Sequence, residues 1–188
     1  MKDLLQYNKQ FVEQRQYLPY QTSKHPDKSL AILTCMDTRL TNLLPDALGL
    51  KNGDAVFIKN AGAWVMHPFG SIIRSLLVAI YEQDVNTIWV VGHTDCGAQH
   101  LSAPTMIEKM KNRGISAETI QLLSTYDPDF DTMLHGIVDV GKSVQETVTF
   151  LQEHPLIPVS YTHLCSFLST PTTLCPFEAN IAAVGRPI

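Results

Sequence analysis

The amino-acid sequence predicts an α/β domain, a mostly parallel sheet with helices packed around it. Three observations lead there. Segments of strand length alternate along the chain with segments of helical period. The strand candidates "LAILT" (30–34), "AVFIKN" (55–60) and "NTIWVVG" (86–92) are near-continuous apolar runs rather than alternating ones. Such strands are covered on both faces, the habit of a parallel sheet. Finally, 188 residues, 45% hydrophobic and 17% charged, suit one domain with a sizeable core.

Each element has its own justification. Residues 2–17 predict a helix with Leu4, Leu5, Phe11 and Val12 as its apolar positions. A polar, Pro-containing linker, "TSKHPDKS", leads into the first strand at 30–34. Residues 39–50 predict a short helix or turn ending near Gly49, and "NGD" (52–54) is a turn signal before the second strand at 55–60. Residues 71–83 predict a helix whose inner face carries Ile72, Leu76, Ala79 and Ile80. The third strand spans 86–92. Two short helices follow at 103–113 and 116–124, separated by Gly114, and a longer one at 137–154 stops before Pro155. The expected arrangement is Rossmann-like, with about four strands. Residues 159–188 are a poor strand or helix, rich in Ser, Thr and Pro, which puts a further edge strand in question. The reading is one domain over 1–188 with an atypical tail from 159.

Composition narrows the function. Fourteen Lys and Arg against 18 Asp and Glu give a net charge of −4. No basic block stands out, so neither nucleic acid nor an acidic membrane is an expected partner. The N-terminal segment is polar and amphipathic, without the apolar core of a signal peptide, and no apolar run reaches the roughly 18 residues of a membrane span. A cytoplasmic protein is expected. In that compartment Cys35, Cys96, Cys165 and Cys175 point to metal binding or catalysis rather than to a disulfide framework.

The chemistry gathers at two strand ends. The first strand runs into "CMDTR", with Cys35, Asp37 and Arg39 at alternate positions; the third runs into "GHTDCG", with His93, Asp95 and Cys96. Carboxyl ends of parallel strands are where such sheets hold their ligands. Two thiolates and an imidazole suit zinc, and three protein ligands leave the open fourth position of a catalytic site. Asp37 and Asp95 are the two carboxylates that could fill that position. The competing reading of Cys35 alone is a small buried hydrophobe, and that of the set is a closed structural zinc. Asp37 and Arg39 can form a bidentate pair. The pair can act as a gate: the site is shut with Asp37 on the metal and open with Asp37 on Arg39. The plainer alternative is a solvated ion pair. His163, Cys165 and Cys175 in the tail form the one other metal-type grouping and are read as a chance cluster.

"CMDTR" and "HTDC" resemble the Cys-x-Asp-x-Arg and His-x-x-Cys signatures of the β-class carbonic anhydrases, in the same order and at the same strand ends. "IKNAGA" (58–63), "GSIIRSLLVAIY" and "HPLIP" (154–158) are similar to further segments of that family, and the chain looks most like its short prokaryotic members over residues 1–158. The resemblance implies zinc, one ion per chain, on Cys35, His93 and Cys96. It makes Asp37 a fourth ligand in the closed state only, and Arg39 its partner. It implies reversible hydration of carbon dioxide to bicarbonate by zinc-bound hydroxide, with Asp37 and Arg39 catalytic. It also implies a homo-oligomer, dimer or tetramer, in which the N-terminal helix packs on the neighbouring subunit. The rival functions are hydrolysis of a related heterocumulene such as carbon disulfide, and a non-catalytic module that binds zinc or bicarbonate. Backbone N–H groups of Gly62 and Gly97 are expected to meet substrate oxygens, and Ala61, Ala63 and Val65 to line a dry pocket. His67 and His100 read as ordinary surface histidines rather than proton shuttles. Two departures from the family stand out. Plant-type members carry a bicarbonate-binding Gln where this chain reads Lys51-Asn52-Gly53, and residues 159–188 do not resemble the family's last strand.

Overall fold

Four strands form one parallel sheet in the order β2-β1-β3-β4. They are β1 (Leu30–Cys35), β2 (Ala55–Asn60), β3 (Thr87–Val91) and β4 (Thr162–Leu164). The computed structural model describes residues 2–127, 129–158 and 162–164. Cys165, Cys175 and most of the atypical tail therefore lie outside the described residues, as does the His163 side chain. β1 is central, pairing Cys35 with Asn60 of β2 on one side and Thr34 with Val91 of β3 on the other. The sheet order reverses at β1, so the crevice between the carboxyl ends of β1 and β3 is the natural ligand position.

The near-continuous apolar runs are explained by burial. All six residues of β1 are buried, and Ala31, Ile32 and Leu33 have no solvent exposure at all. β2 is at the sheet edge, and only Ile58 among its residues is fully buried. β4 corrects the expectation for the tail. Thr162, His163 and Leu164 pair in parallel with Ile88, Trp89 and Val90. Backbone pairing against an already formed strand outweighs the segment's weak local propensity.

Seven helices are present among the described residues: α1 (Lys2–Glu13), α2 (Leu40–Ala47), α3 (Ser71–Glu82), α4 (Ala103–Asn112), α5 (Ala117–Tyr126), α6 (Phe130–Leu134) and α7 (Val140–Glu153). α1 ends four residues earlier than expected, and Arg15 behind it takes a left-handed φ of 53° that a helix cannot continue through. Leu4, Leu5 and Val12 on it are exposed rather than packed on this chain's core. On α3 it is Ile73, with Leu76, Ala79 and Ile80, that is fully buried, while Ile72 packs partly buried against the core. α6 is too short to show a period in the sequence. Phe130 and Leu134 on it build a small second core with Ala103 and Ile120. α7 starts at Val140 rather than 137 because the Asp139 carboxylate accepts the Lys142 N–H at 2.7 Å and caps the helix there.

The loop between α6 and α7 closes onto the segment after β3. Gly136 N–H donates to Leu101 O and Ile137 N–H to Ala98 O. A Cβ on Gly136 would sit 1.8 Å from the Ala98 carbonyl oxygen, a backbone atom that cannot swing aside. Gly136→Ala should therefore destabilise the fold by about 1–3 kcal/mol, read as a lower urea midpoint. An unchanged midpoint would show that the loop stands off without cost.

Candidate metal centre

β1 and β3 deliver the site's side chains from the two sides of the crevice. Cys35 is the last residue of β1. His93 and Cys96 follow β3 within five residues, and a 3-10 turn over Gly97–His100 comes next. All three are buried, at 5%, 3% and 1% exposure. The Cys35 and Cys96 Sγ atoms are 3.7 Å apart. One nitrogen of His93 and both sulfurs lie within 4.8 Å of one another.

This set fits a soft divalent metal. His93 Nε2 is buried with no hydrogen-bond partner. Leaving a buried polar nitrogen unpaired costs about 1–3 kcal/mol, so it calls for a partner. Two thiols beside it supply the donor chemistry of zinc. Burial, first, and the neighbouring Cys35 push the Cys96 thiol up to about 11. A metal must displace that proton to bind.

Asp37 and Arg39 flank the three candidate ligands. Asp37 Oδ1 accepts from the Arg39 backbone N–H at 2.9 Å and from Nε at 3.0 Å, and Oδ2 accepts from Nη2 at 2.8 Å. This is the bidentate pair expected of "CMDTR". Hydrogen bonds from the guanidinium, and then from the Arg39 backbone, hold the Asp37 carboxyl well below the usual carboxylate range. Asp37 Oδ2 is also 3.9 Å from His93 Nε2, so the carboxylate faces the ligand cluster while bonded to Arg39.

The other expected residues fall as follows. Asp95, one of two candidates for the fourth position, turns its carboxylate onto Arg39 Nη1 at 2.8 Å instead and is not among the clustered ligands. Its 56-residue separation from Arg39 hid that contact from sequence reasoning, because no local spacing carries it. Gly62 is buried at φ +81° in the turn after β2, where a Cβ would press on Ala98 Cβ at 3.1 Å and Ile137 Cδ1 at 3.4 Å. Its bareness is thus demanded by turn and packing. Gly97 is exposed directly after Cys96. Ala61 is exposed, whereas Ala63 and Val65 belong to the main core rather than to a pocket of their own. His67 and His100 are both exposed.

Comparison with known proteins agrees with this geometry. The carbonic anhydrase family model matches residues 30–162. The relatives include YtiB of Bacillus subtilis, a candidate carbonic anhydrase by name, 51% identical over 158 residues and covering 84% of each chain. A carbon disulfide hydrolase of Acidithiobacillus thiooxidans is 30% identical over 144 residues, covering 70% of this chain and 68% of its own. Among solved structures, β-carbonic anhydrase isoform I of Trichomonas vaginalis superposes with a TM-score of 0.78 at 32% identity, covering 89% of this chain and 91% of the other. The chain belongs to the carbonic anhydrase family, in its β class.

Proposed function

We propose that this protein catalyses the reversible hydration of carbon dioxide to bicarbonate and a proton, with zinc held by Cys35, His93 and Cys96. One observation carries the reading: three buried soft ligands converge beside a carboxylate that an arginine holds in check. A zinc ion there supplies the Lewis acidity that brings the ionisation of water from a pKa of about 16 toward roughly 7.

The chain does the rest. Arg39 keeps Asp37 ionised, so its carboxylate accepts hydrogen bonds and does not donate them. Oδ1 already receives two donors and Oδ2 one. Oδ2 therefore keeps a lone pair for a proton donor in front of the ligands. Asp37 is also the exchangeable fourth ligand: a turn of its side chain from Arg39 toward the cluster shuts the site. Gly62 and Gly97 are the proposed N–H contacts to substrate oxygens, Gly97 being the more open of the two. We read the protein as cytoplasmic, because its two buried free thiols suit a reducing compartment. Among the described residues, no helix is long and apolar enough to cross a membrane. We read it as a homo-oligomer, because Leu4, Leu5 and Val12 of α1 are exposed and join no core among the described residues.

Stopped-flow carbon dioxide hydration between pH 6 and 9, with zinc counted in the same sample, tests the assignment. Turnover with about one zinc per chain is expected. Full zinc without turnover at any pH would leave a binding module. The likeness to the carbon disulfide hydrolase favours one second assay. Hydrogen sulfide release from carbon disulfide, in place of carbon dioxide hydration, would move the substrate while keeping the centre.

A further inference from the structure

Arg39 donates to two carboxylates at once. Nε and Nη2 reach Asp37, while Nη1 reaches Asp95 Oδ2 and Nη2 reaches the Asp95 backbone carbonyl, both at 2.8 Å. Asp95 takes a left-handed φ of +52°, and with that backbone its carbonyl and its carboxylate both meet the same guanidinium. Asp tolerates this conformation because its side chain is short and polar. Arg39 and Asp95 are well exposed, at 50% and 65% of their side-chain surface. The hydration reaction as described above gives Asp95 no task.

We propose that Asp95 is a positioning residue: it competes with Asp37 for the charge of Arg39 and so weights the Asp37 carboxylate toward the metal position. The proposal rests on the two-position reading of Asp37. A guanidinium already donating to one carboxylate is a weaker donor to a second, because hydrogen bonds in a network polarise one another. Two anions on one cation also repel. Both effects are strongest while Asp37 sits on Arg39, and both relax when it leaves. Removing only the charge of Asp95 should therefore hold Asp37 on Arg39 and open the site. The pair is solvated, so the shift should be no more than about fivefold.

Asp95→Asn removes the charge while keeping an acceptor for Nη1 and a side chain that tolerates positive φ. The test uses protein loaded with cobalt(II), whose visible absorption reports a new ligand, and neutral imidazole at pH 8 as the probe. An uncharged probe is insensitive to the lost negative charge as such. Its apparent affinity falls with the fraction of open sites. Imidazole should bind Asp95→Asn two- to fivefold more tightly than wild type, and Asp95→Glu should return the wild-type value. Asp37→Ala should bind it more tightly still, and Asp95→Asn in that background should add nothing. If Asp37→Ala tightens binding and Asp95→Asn does not, the role of Asp95 is overturned and the gate stands. An Asp95 effect that persists without Asp37 overturns that role equally. If Asp37→Ala changes nothing, Asp37 never reaches the metal, and the gate and the proposal fall together.

Discussion

Cys96→Ser should empty the centre of zinc. Cys96 is 1% exposed and its Sγ is 3.7 Å from that of Cys35, so the substitution takes one of the two clustered thiols out of the site. A serine hydroxyl is a harder donor and gives up its proton far less readily than a thiol. Losing a partner that merely orients a ligand costs about 10–100-fold in metal affinity; losing the ligand should cost more than that. After dialysis against a chelator, wild-type protein should keep about one zinc per chain and the variant almost none. Cys96 shares the main core with Ile32, Leu33, Leu76 and Val144, but serine nearly keeps its size, so the fold should survive at a cost of about 1–3 kcal/mol for the buried hydroxyl. Full zinc in the variant would refute the ligand assignment. The raised Cys96 thiol adds a sign to the metal chemistry. At neutral pH the metal-free protein holds that proton, so zinc uptake must release it, and affinity should weaken as pH falls. Calorimetric titration at pH 7 in two buffers of different ionisation enthalpy should show at least one proton released per zinc.

Asp37→Ala should lower turnover by about 100-fold or more, the scale of a lost proton-handling group, with zinc retained. The variant removes both the Oδ2 acceptor facing the cluster and the partner of the Arg39 fork. Three ligands remain to hold the metal, so zinc content and turnover should separate. The hydration rate and the zinc count on one sample decide the matter. If zinc is lost with Asp37, the residue is a structural ligand and the open-site reading fails. If turnover survives, the proton-handling role fails instead. Stability should change little, since Arg39 is half exposed and solvent screens the pair.

The candidate metal ligands are legible in the sequence because each sits within a few residues of an apolar strand. A run such as "LAILT" implies burial, burial implies a parallel sheet, and a parallel sheet places Cys35 and His93 at one end. The helices are legible wherever a period can repeat, as in α3 and α7. They are not legible where only five residues form a turn, as in α6, or where a cap rather than a period sets the start, as at Asp139.

Local sequence carried the residue types and their spacing, and with them the chemistry of two thiols, an imidazole and an acid–base pair. Tertiary structure decided what that spacing could not. It set Asp95 on Arg39 rather than among the clustered Cys35, His93 and Cys96, and it left no room for a Cβ at Gly136 through a carbonyl far earlier in the chain, that of Ala98. It also paired Thr162–Leu164 with β3 against the segment's own weak preference. Contacts between residues far apart in the chain have no period to betray them; they exist only once the sheet has brought its strand ends together.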